Sequence, residues 1–168
     1  MVLRCLPLIL IAGSLFVAFG CRSTPARPPA QVEYVPPTRS SEVATIQGSR
    51  RRPGFLDEDH LGYVLMVDRK YLANPAKNWN QPVLLGPGLR IITAEYLNPP
   101  YNARADLTLD VKPGVSYQLK IVNGTEGADG KRFNDFWIVE TAKGTIVTLV
   151  HHAEVTGSKG TYNPFSIN

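Results

Sequence analysis

The sequence predicts an all-β fold, a single small antiparallel β-sandwich of about 7–8 strands. Three observations lead to this prediction. Apolar and polar residues alternate with a period of two in several segments, which is typical of strands with one face on a core and the other in water. Glycine and proline turn signals separate these segments. No stretch of about 10 residues shows the apolar spacing of a helix.

The clearest alternation lies in residues 103–111 and 115–121. Lys112-Pro113-Gly114 joins these two strands, with proline presetting φ and glycine supplying the positive φ of a type II turn. Gly86-Pro87-Gly88 has the same turn chemistry. The other strands are predicted at 43–48, 61–68, 82–85, 89–97, 134–140 and 145–150.

Residues 1–20 have the organisation of a signal peptide. Arg4 precedes an apolar stretch that is too short to span about 30 Å of hydrocarbon but suits an export signal. Ala18-Phe19-Gly20-Cys21 resembles the lipobox of bacterial lipoproteins, and this resemblance implies that Cys21 carries a lipid. A plain signal peptide or a short signal anchor is the alternative. Arg22, directly after the cysteine, implies the outer membrane as the destination.

Residues 22–42 are predicted to be a disordered, proline-rich tether that follows the lipidated Cys21, and residues 43–168 the β-sandwich domain. The tether holds five prolines and almost no aliphatic periodicity, so it cannot bury enough surface to offset its ordering entropy. Residues 22–52 also hold six arginines against two glutamates, whereas the rest of the domain is nearly neutral. The net charge of +4 therefore indicates a basic tether beside a membrane, or solvated arginines, and no nucleic-acid partner.

The segment 64–96 carries a pattern of turn and core residues. In order, these are Val67-Asp68, Pro82-Val83, Leu85, Pro87-Gly88, Ile92 and Tyr96. The pattern resembles that of the PEGA-type domains of bacterial surface proteins and of related envelope lipoproteins. Because the matching positions are structural, the resemblance implies a small β-sandwich and no particular activity.

Ligand- or partner-binding residues are predicted from loop lengths. If consecutive strands from residue 61 onward reverse direction, the longer connections 69–81, 98–102 and 122–133 lie at one end of the sandwich. Rigid sheets commonly bind through the loops that they present at one end. The predicted site consists of Lys77, Trp79, Asn98, Tyr101 and Asn102. For Trp79 and Tyr101 the alternative is that they close the end of the core.

No catalytic residue or cofactor is predicted. A metal site would have to draw on His60, His151, His152 and an acid from 57–59, and adjacent histidines of a strand point to opposite faces. We therefore interpret the chain as an exported, membrane-anchored lipoprotein that binds or organises another envelope component, a protein or a polysaccharide, without catalysis. The alternatives are a metal-dependent or carbohydrate-active envelope enzyme and an accessory subunit of a secretion or pilus assembly.

Lipidation of Cys21 is testable by substitution. Wild-type protein is expected to incorporate a labelled fatty acid and to fractionate with membranes after loss of its signal peptide. Cys21→Ser is expected to abolish the incorporation, whereas Cys5→Ser, within the signal segment, is expected to retain it. Equal membrane attachment without processing in wild type and Cys21→Ser would identify the segment as a signal anchor.

Overall fold

A computed structural model describes residues 31–51, 60–99, 101–128 and 130–157. Cys21, the signal segment and the acidic run 57–59 lie outside the described residues. All of the regular secondary structure in the described part of the chain is β, so the predicted all-β class is confirmed. Within the same residues there is no helix long and apolar enough to cross a membrane.

The described residues form eleven strands arranged in two sheets that pack together as a β-sandwich. In chain order they are β1 (Ala44–Gln47), β2 (Ser49–Arg51), β3 (His60–Val67), β4 (Lys70–Tyr71), β5 (Val83–Leu85), β6 (Gly88–Asn98), β7 (Tyr101–Val111), β8 (Ser116–Glu126), β9 (Lys131–Glu140), β10 (Thr145–Ile146) and β11 (His151–Glu154).

The first sheet has the order β2-β3-β6-β7, and β4 also pairs with β3. Its main element is the β6–β7 hairpin, which stays in register from the Gly88–Val111 pair to the Asn98–Tyr101 pair. The second sheet has the order β10-β9-β8-β1-β5, and β11 also pairs with β9. Here β1 runs parallel to β8 and antiparallel to β5, whereas β8 and β9 form a long antiparallel hairpin.

The core lies between the two sheets, and β7 and the core-facing parts of β8 and β9 contribute every second residue to it. Leu107 and Leu109 of β7 meet Phe136 and Ile138 of β9, and all four are almost fully buried. Burying a side chain of this size contributes about 1.5–3 kcal/mol relative to leaving it exposed. The turn at 112–114 carries the chain from one sheet to the other, and Gly114 adopts the predicted positive φ of 68°. The alternation read from the sequence therefore decides which residues form the core.

Two predicted connections and one predicted strand differ from the structure. The connections 98–102 and 122–133 are not long loops, because β6 and β7 continue to Asn98 and from Tyr101, and β8 and β9 continue to Glu126 and from Lys131. Backbone hydrogen bonds extend both ladders through residues whose side chains are polar, so the apolar pattern ended before the strands did. The predicted strand 145–150 is interrupted after Ile146, and pairing with β9 resumes at β11.

The assumed reversal of consecutive strands is also wrong. β5 belongs to the second sheet, so β3 and β6 become antiparallel neighbours. The chain leaves β3 at Val67, beside Ile92, whereas the β6–β7 turn lies beyond the opposite Leu61–Leu97 pair. The connection 69–81 therefore begins at the other end of the first sheet from the turn that contains Asn98 and Tyr101.

The second half of the predicted tether lies on the sandwich. The Tyr34 amide donates to the Tyr71 carbonyl oxygen at 2.8 Å, and the Tyr71 amide donates to the Val32 carbonyl oxygen at the same distance. The Tyr34 hydroxyl donates to the Leu84 carbonyl oxygen at 2.9 Å, and its ring packs against the core. This differs from the extended, solvated segment that the sequence predicted. The half of the tether before residue 31 lies outside the described residues.

Attachment of the tether should depend on pH through Tyr34. Burial raises the pKa of the Tyr34 hydroxyl above its usual 10.0, with Asp68 adding to the shift and Arg90 opposing it. Because the pKa is higher in the folded protein, the unfolded chain loses the hydroxyl proton first as the pH rises. The contribution of the protonated Tyr34 hydroxyl to the free energy of unfolding is therefore complete below pH 10.0, and it is lost as the pH passes the folded pKa. We expect Tyr34→Phe to cost about 0.5–1.5 kcal/mol well below that pH and nothing well above it.

The measurement is the urea unfolding free energy of wild type and Tyr34→Phe at both pH values. The comparison isolates Tyr34 because the other tyrosines titrate in both proteins. A difference that is the same on both sides of pH 10.0 would show that the hydroxyl is not the group responsible. Val35→Ala serves as a control within the same segment, because Val35 is 82% exposed.

Candidate functional site

Two cavities contain most of the predicted binding residues, but they are separate. The first, here called the hairpin cavity, has a volume of about 460 Å³ and lies at the end of the sandwich where the β6–β7 and β8–β9 hairpins turn. Its lining includes His60, Asn98, Tyr101, Asn123, Arg132 and Asn134. The second, here called the tether cavity, lies beside the docked tether and includes Trp79.

The first sheet supplies one wall of the hairpin cavity. Asn98 and Tyr101 are register partners across the β6–β7 hairpin, so their side chains share one face of the sheet. His60 begins β3, one residue before the Leu61–Leu97 pair, and therefore lies next to Asn98. The His60 Nδ1 atom is 2.8 Å from the Tyr96 hydroxyl, and the two rings stack with centroids 5.7 Å apart. This wall therefore combines an amide with three rings.

The second sheet supplies the facing wall, from the inward side of β9. Phe136 lies in the core, and the next two inward positions towards the turn are Asn134 and Arg132. Asn123 of β8 is the register partner of Asn134. The Arg132 guanidinium carbon lies 4.4 Å from the centroid of the Tyr101 ring, so a cation–π contact joins the two sheets at the cavity. Arg132 is the only permanently charged side chain among the described lining residues.

Two amides in this cavity form no hydrogen bond with the described residues. Asn134 has no exposed surface, and neither its Oδ1 nor its Nδ2 atom has a hydrogen-bond partner among these residues. The Asn98 residue is only 8% exposed, and its side chain also lacks a hydrogen bond to any described residue. A fully buried polar group without a partner, such as the Asn134 amide, costs about 1–3 kcal/mol. The cavity is therefore lined by donors and acceptors that the described protein groups leave unused.

Asn102, another predicted binding residue, has a structural role beside this cavity. Its amide and carbonyl exchange hydrogen bonds with Thr156 at 3.0 and 2.8 Å, which ties the edge strand β7 to the chain after β11. The Thr156 hydroxyl also donates to Asn102 Oδ1 at 2.6 Å. Asn102 thus links the two sheets by hydrogen bonds. It is not part of the cavity lining.

The tether cavity holds Trp79 and has a volume of about 370 Å³. Its lining includes Tyr34 and Leu72, and the Trp79 carbonyl oxygen accepts a hydrogen bond from the Gly48 amide at 2.8 Å. A Cβ atom at Gly48 would overlap the Gly62 carbonyl oxygen, so this close approach requires glycine. Lys77 lies in the same loop as Trp79 but does not line the cavity. The structure therefore separates Lys77 and Trp79 from Asn98 and Tyr101.

The histidines considered for a metal site lie in different surroundings. His60 faces the hairpin cavity, whereas His152 lies on β11, where its Nδ1 atom is 2.9 Å from Asp135 Oδ1 and its ring packs on Phe133 at 4.4 Å. His151, its neighbour on the strand, is paired with Phe136. Within the described ranges, no three His, Cys, Asp or Glu residues are grouped so that they could hold a metal ion.

Sequence reasoning missed Arg132 and Asn134, which complete the hairpin cavity. A signal for both was present, because Asn134, Phe136 and Ile138 occupy alternate positions of a predicted strand. A polar residue at a position that the alternation assigns to the core is unusual. Asn134 therefore marks the point where the core ends and the cavity begins, and Arg132 follows at the next inward position.

No protein family model matches the chain, and no curated protein or solved structure matches it either. The resemblance to PEGA-type domains stays a prediction from the motif positions.

The unpaired state of Asn134 predicts an unusual response to substitution. Asn134→Leu replaces the amide by an apolar group of similar shape, so we expect the urea unfolding free energy to be unchanged or raised by about 1 kcal/mol. Ile138 is the second inward position of β9 beyond Asn134, in the core. Ile138→Ala should lower the unfolding free energy by about 2–5 kcal/mol, and it shows the sensitivity of the measurement. A comparable loss for Asn134→Leu would mean that the amide has a stabilising partner.

Proposed function

We propose that the protein is a membrane-tethered envelope lipoprotein that binds a polar group of another envelope component in the hairpin cavity, without catalysis. The observation that carries this proposal is the fully buried amide of Asn134, which has no hydrogen-bond partner among the described residues and lies in the same cavity as the side chain of Asn98. A ligand that supplies both a donor and an acceptor would recover the free energy that the buried Asn134 amide costs.

The composition of the cavity supports binding of a polar ligand. Ligand sites of about 300–1,000 Å³ typically combine apolar and aromatic walls with a few well-placed polar groups. The hairpin cavity has this size and offers Tyr101 and Val155 together with three asparagines. Its one imidazole, His60, is already bonded to Tyr96. The strands position these side chains. The β6–β7 and β8–β9 pairings and the hydrogen bonds between Asn102 and Thr156 therefore fix the geometry of the cavity.

The membrane tether is supported by the sequence before the described residues. The apolar signal segment, the residues before Cys21 and the proline-rich stretch after it fit a lipid-anchored protein of the outer membrane, facing the periplasm or the cell surface. No specific feature of the described residues favours the alternatives of an enzyme or of a secretion or pilus subunit.

Site-specific photo-cross-linking in intact cells tests this proposal. A photoreactive amino acid at Thr125, which lines the hairpin cavity, should capture an envelope component, and the same probe at Lys143, in the exposed turn between β9 and β10, should not. Capture at Thr125 should be lost in Asn98→Leu and retained in Asn80→Leu, a matched change at an exposed position outside the cavity.

The outcomes separate clearly. Capture at Thr125 that depends on Asn98 supports binding in the cavity. Equal capture from Thr125 and Lys143, or capture that Asn98→Leu leaves unchanged, would place the interaction elsewhere on the molecule and overturn the proposal.

A further inference from the structure

We propose that the hairpin cavity binds an acidic sugar of the hexuronate type, with Arg132 holding the carboxylate and Asn98 holding two adjacent hydroxyl groups. This inference rests on the proposed function and names the ligand class of the same site. Two independent observations carry it: Arg132 has no acidic partner among the described residues, and the Asn98 side chain forms no hydrogen bond with them.

Arg132 is available for an anionic group. Its side chain forms no ion pair with any described residue, and the guanidinium carbon lies 4.4 Å from the centroid of the Tyr101 ring. Because this contact is made with a ring and not with an acceptor atom, the N–H donors of the guanidinium have no acceptor among the described residues. Those donors match the two oxygens of a carboxylate in a bidentate pair. Tyr101 therefore holds Arg132 in place while leaving its binding edge unused.

Asn98 is suited to a pair of adjacent hydroxyl groups. A side-chain amide presents its acceptor oxygen and its donor nitrogen side by side. Two neighbouring hydroxyls of a sugar ring present a donor and an acceptor in the same way, so both atoms of the amide are used at once. Adjacent hydroxyls of one sugar ring therefore fit the paired donor and acceptor of the Asn98 side chain.

The two groups lie within reach of one sugar residue. Asn98 and Tyr101 are register partners, and such partners have Cβ atoms about 4.5–5.5 Å apart. Arg132 contacts the ring of Tyr101 itself, so Asn98 and Arg132 are both neighbours of Tyr101 in the cavity lining. A neutral sugar would leave Arg132 unmatched, and a simple carboxylate would leave Asn98 unmatched. A hexuronate uses both groups, and the buried Asn134 lies next to Asn123 to accept further hydroxyls.

Three probes distinguish the parts of this proposal in calorimetric titrations of the full-length protein in detergent. Trigalacturonate carries both carboxylates and adjacent hydroxyls, its methyl ester keeps the hydroxyls without the charge, and propane-1,2,3-tricarboxylate carries charge without hydroxyls. We expect trigalacturonate to bind at least about 10-fold more tightly than either of the others, the difference that a charged hydrogen-bonded contact provides.

Variants assign the two contacts. Arg132→Gln should lower trigalacturonate affinity to that of the methyl ester and leave the ester unchanged. Asn98→Leu should weaken both sugars. Lys143→Gln removes the same charge from an exposed turn and should change neither. Arg132→Lys keeps the charge without the bidentate edge and should give an intermediate affinity, which provides a second reading if Arg132→Gln disturbs folding.

Each contrary result has a distinct meaning. Equal affinity for trigalacturonate and its ester, or equal losses in Arg132→Gln and Lys143→Gln, would overturn the assignment of Arg132 to a carboxylate. If none of the probes binds while capture at Thr125 still depends on Asn98, the sugar inference fails and the proposed binding function stands. If capture also ceases to depend on Asn98, both fail.

Discussion

The period-two geometry of β9 is the constraint on which the cavity depends. Once Phe136 and Ile138 face the core, Asn134 and Arg132 must face inward as well, because successive side chains of a strand alternate between its faces. The strand therefore delivers polar groups to the interior side without any irregularity in its backbone. Apolar packing positions the amide and the guanidinium, so the core and the hairpin cavity are two parts of one continuous face.

The opposing strands obey the same constraint. In β6 and β7 the inward face passes from apolar residues in the core to Asn98 and Tyr101 at the turn, and the uninterrupted register keeps these two side by side. The two hairpins extend beyond the last apolar residues of the core, and the cavity lies between these extensions. Shorter hairpins would have left loops at this end, and the relative positions of Tyr101 and Arg132 would then have depended on loop conformation.

Much of this arrangement could be predicted from the sequence, and the errors have physical causes. Alternation in 103–111 and 115–121 correctly identified two core strands, and Pro113-Gly114 identified the turn between them. Asn98 and Tyr101 do lie together at one end of the sandwich, as predicted, but the prediction placed Trp79 at the same end because it inferred strand direction from chain order. The sequence carries no local signal that β5 crosses to the other sheet. Only long-range pairing, such as that of β1 with both β5 and β8, decides this.

The contacts of Tyr34 with the sandwich also decide which strand pairing would first bear a force applied to the chain before residue 31. A pull on the chain before residue 31 reaches the pairing of Val32 and Tyr34 with Tyr71 before it reaches β1. That pairing is short, whereas β1 is held along both edges by β5 and β8 and would have to slide past two neighbours at once. Under such a pull, the pairing of Val32 and Tyr34 with Tyr71 would separate before β1 does. The connection would then lengthen while the two sheets and the cavity between the hairpins keep their shape.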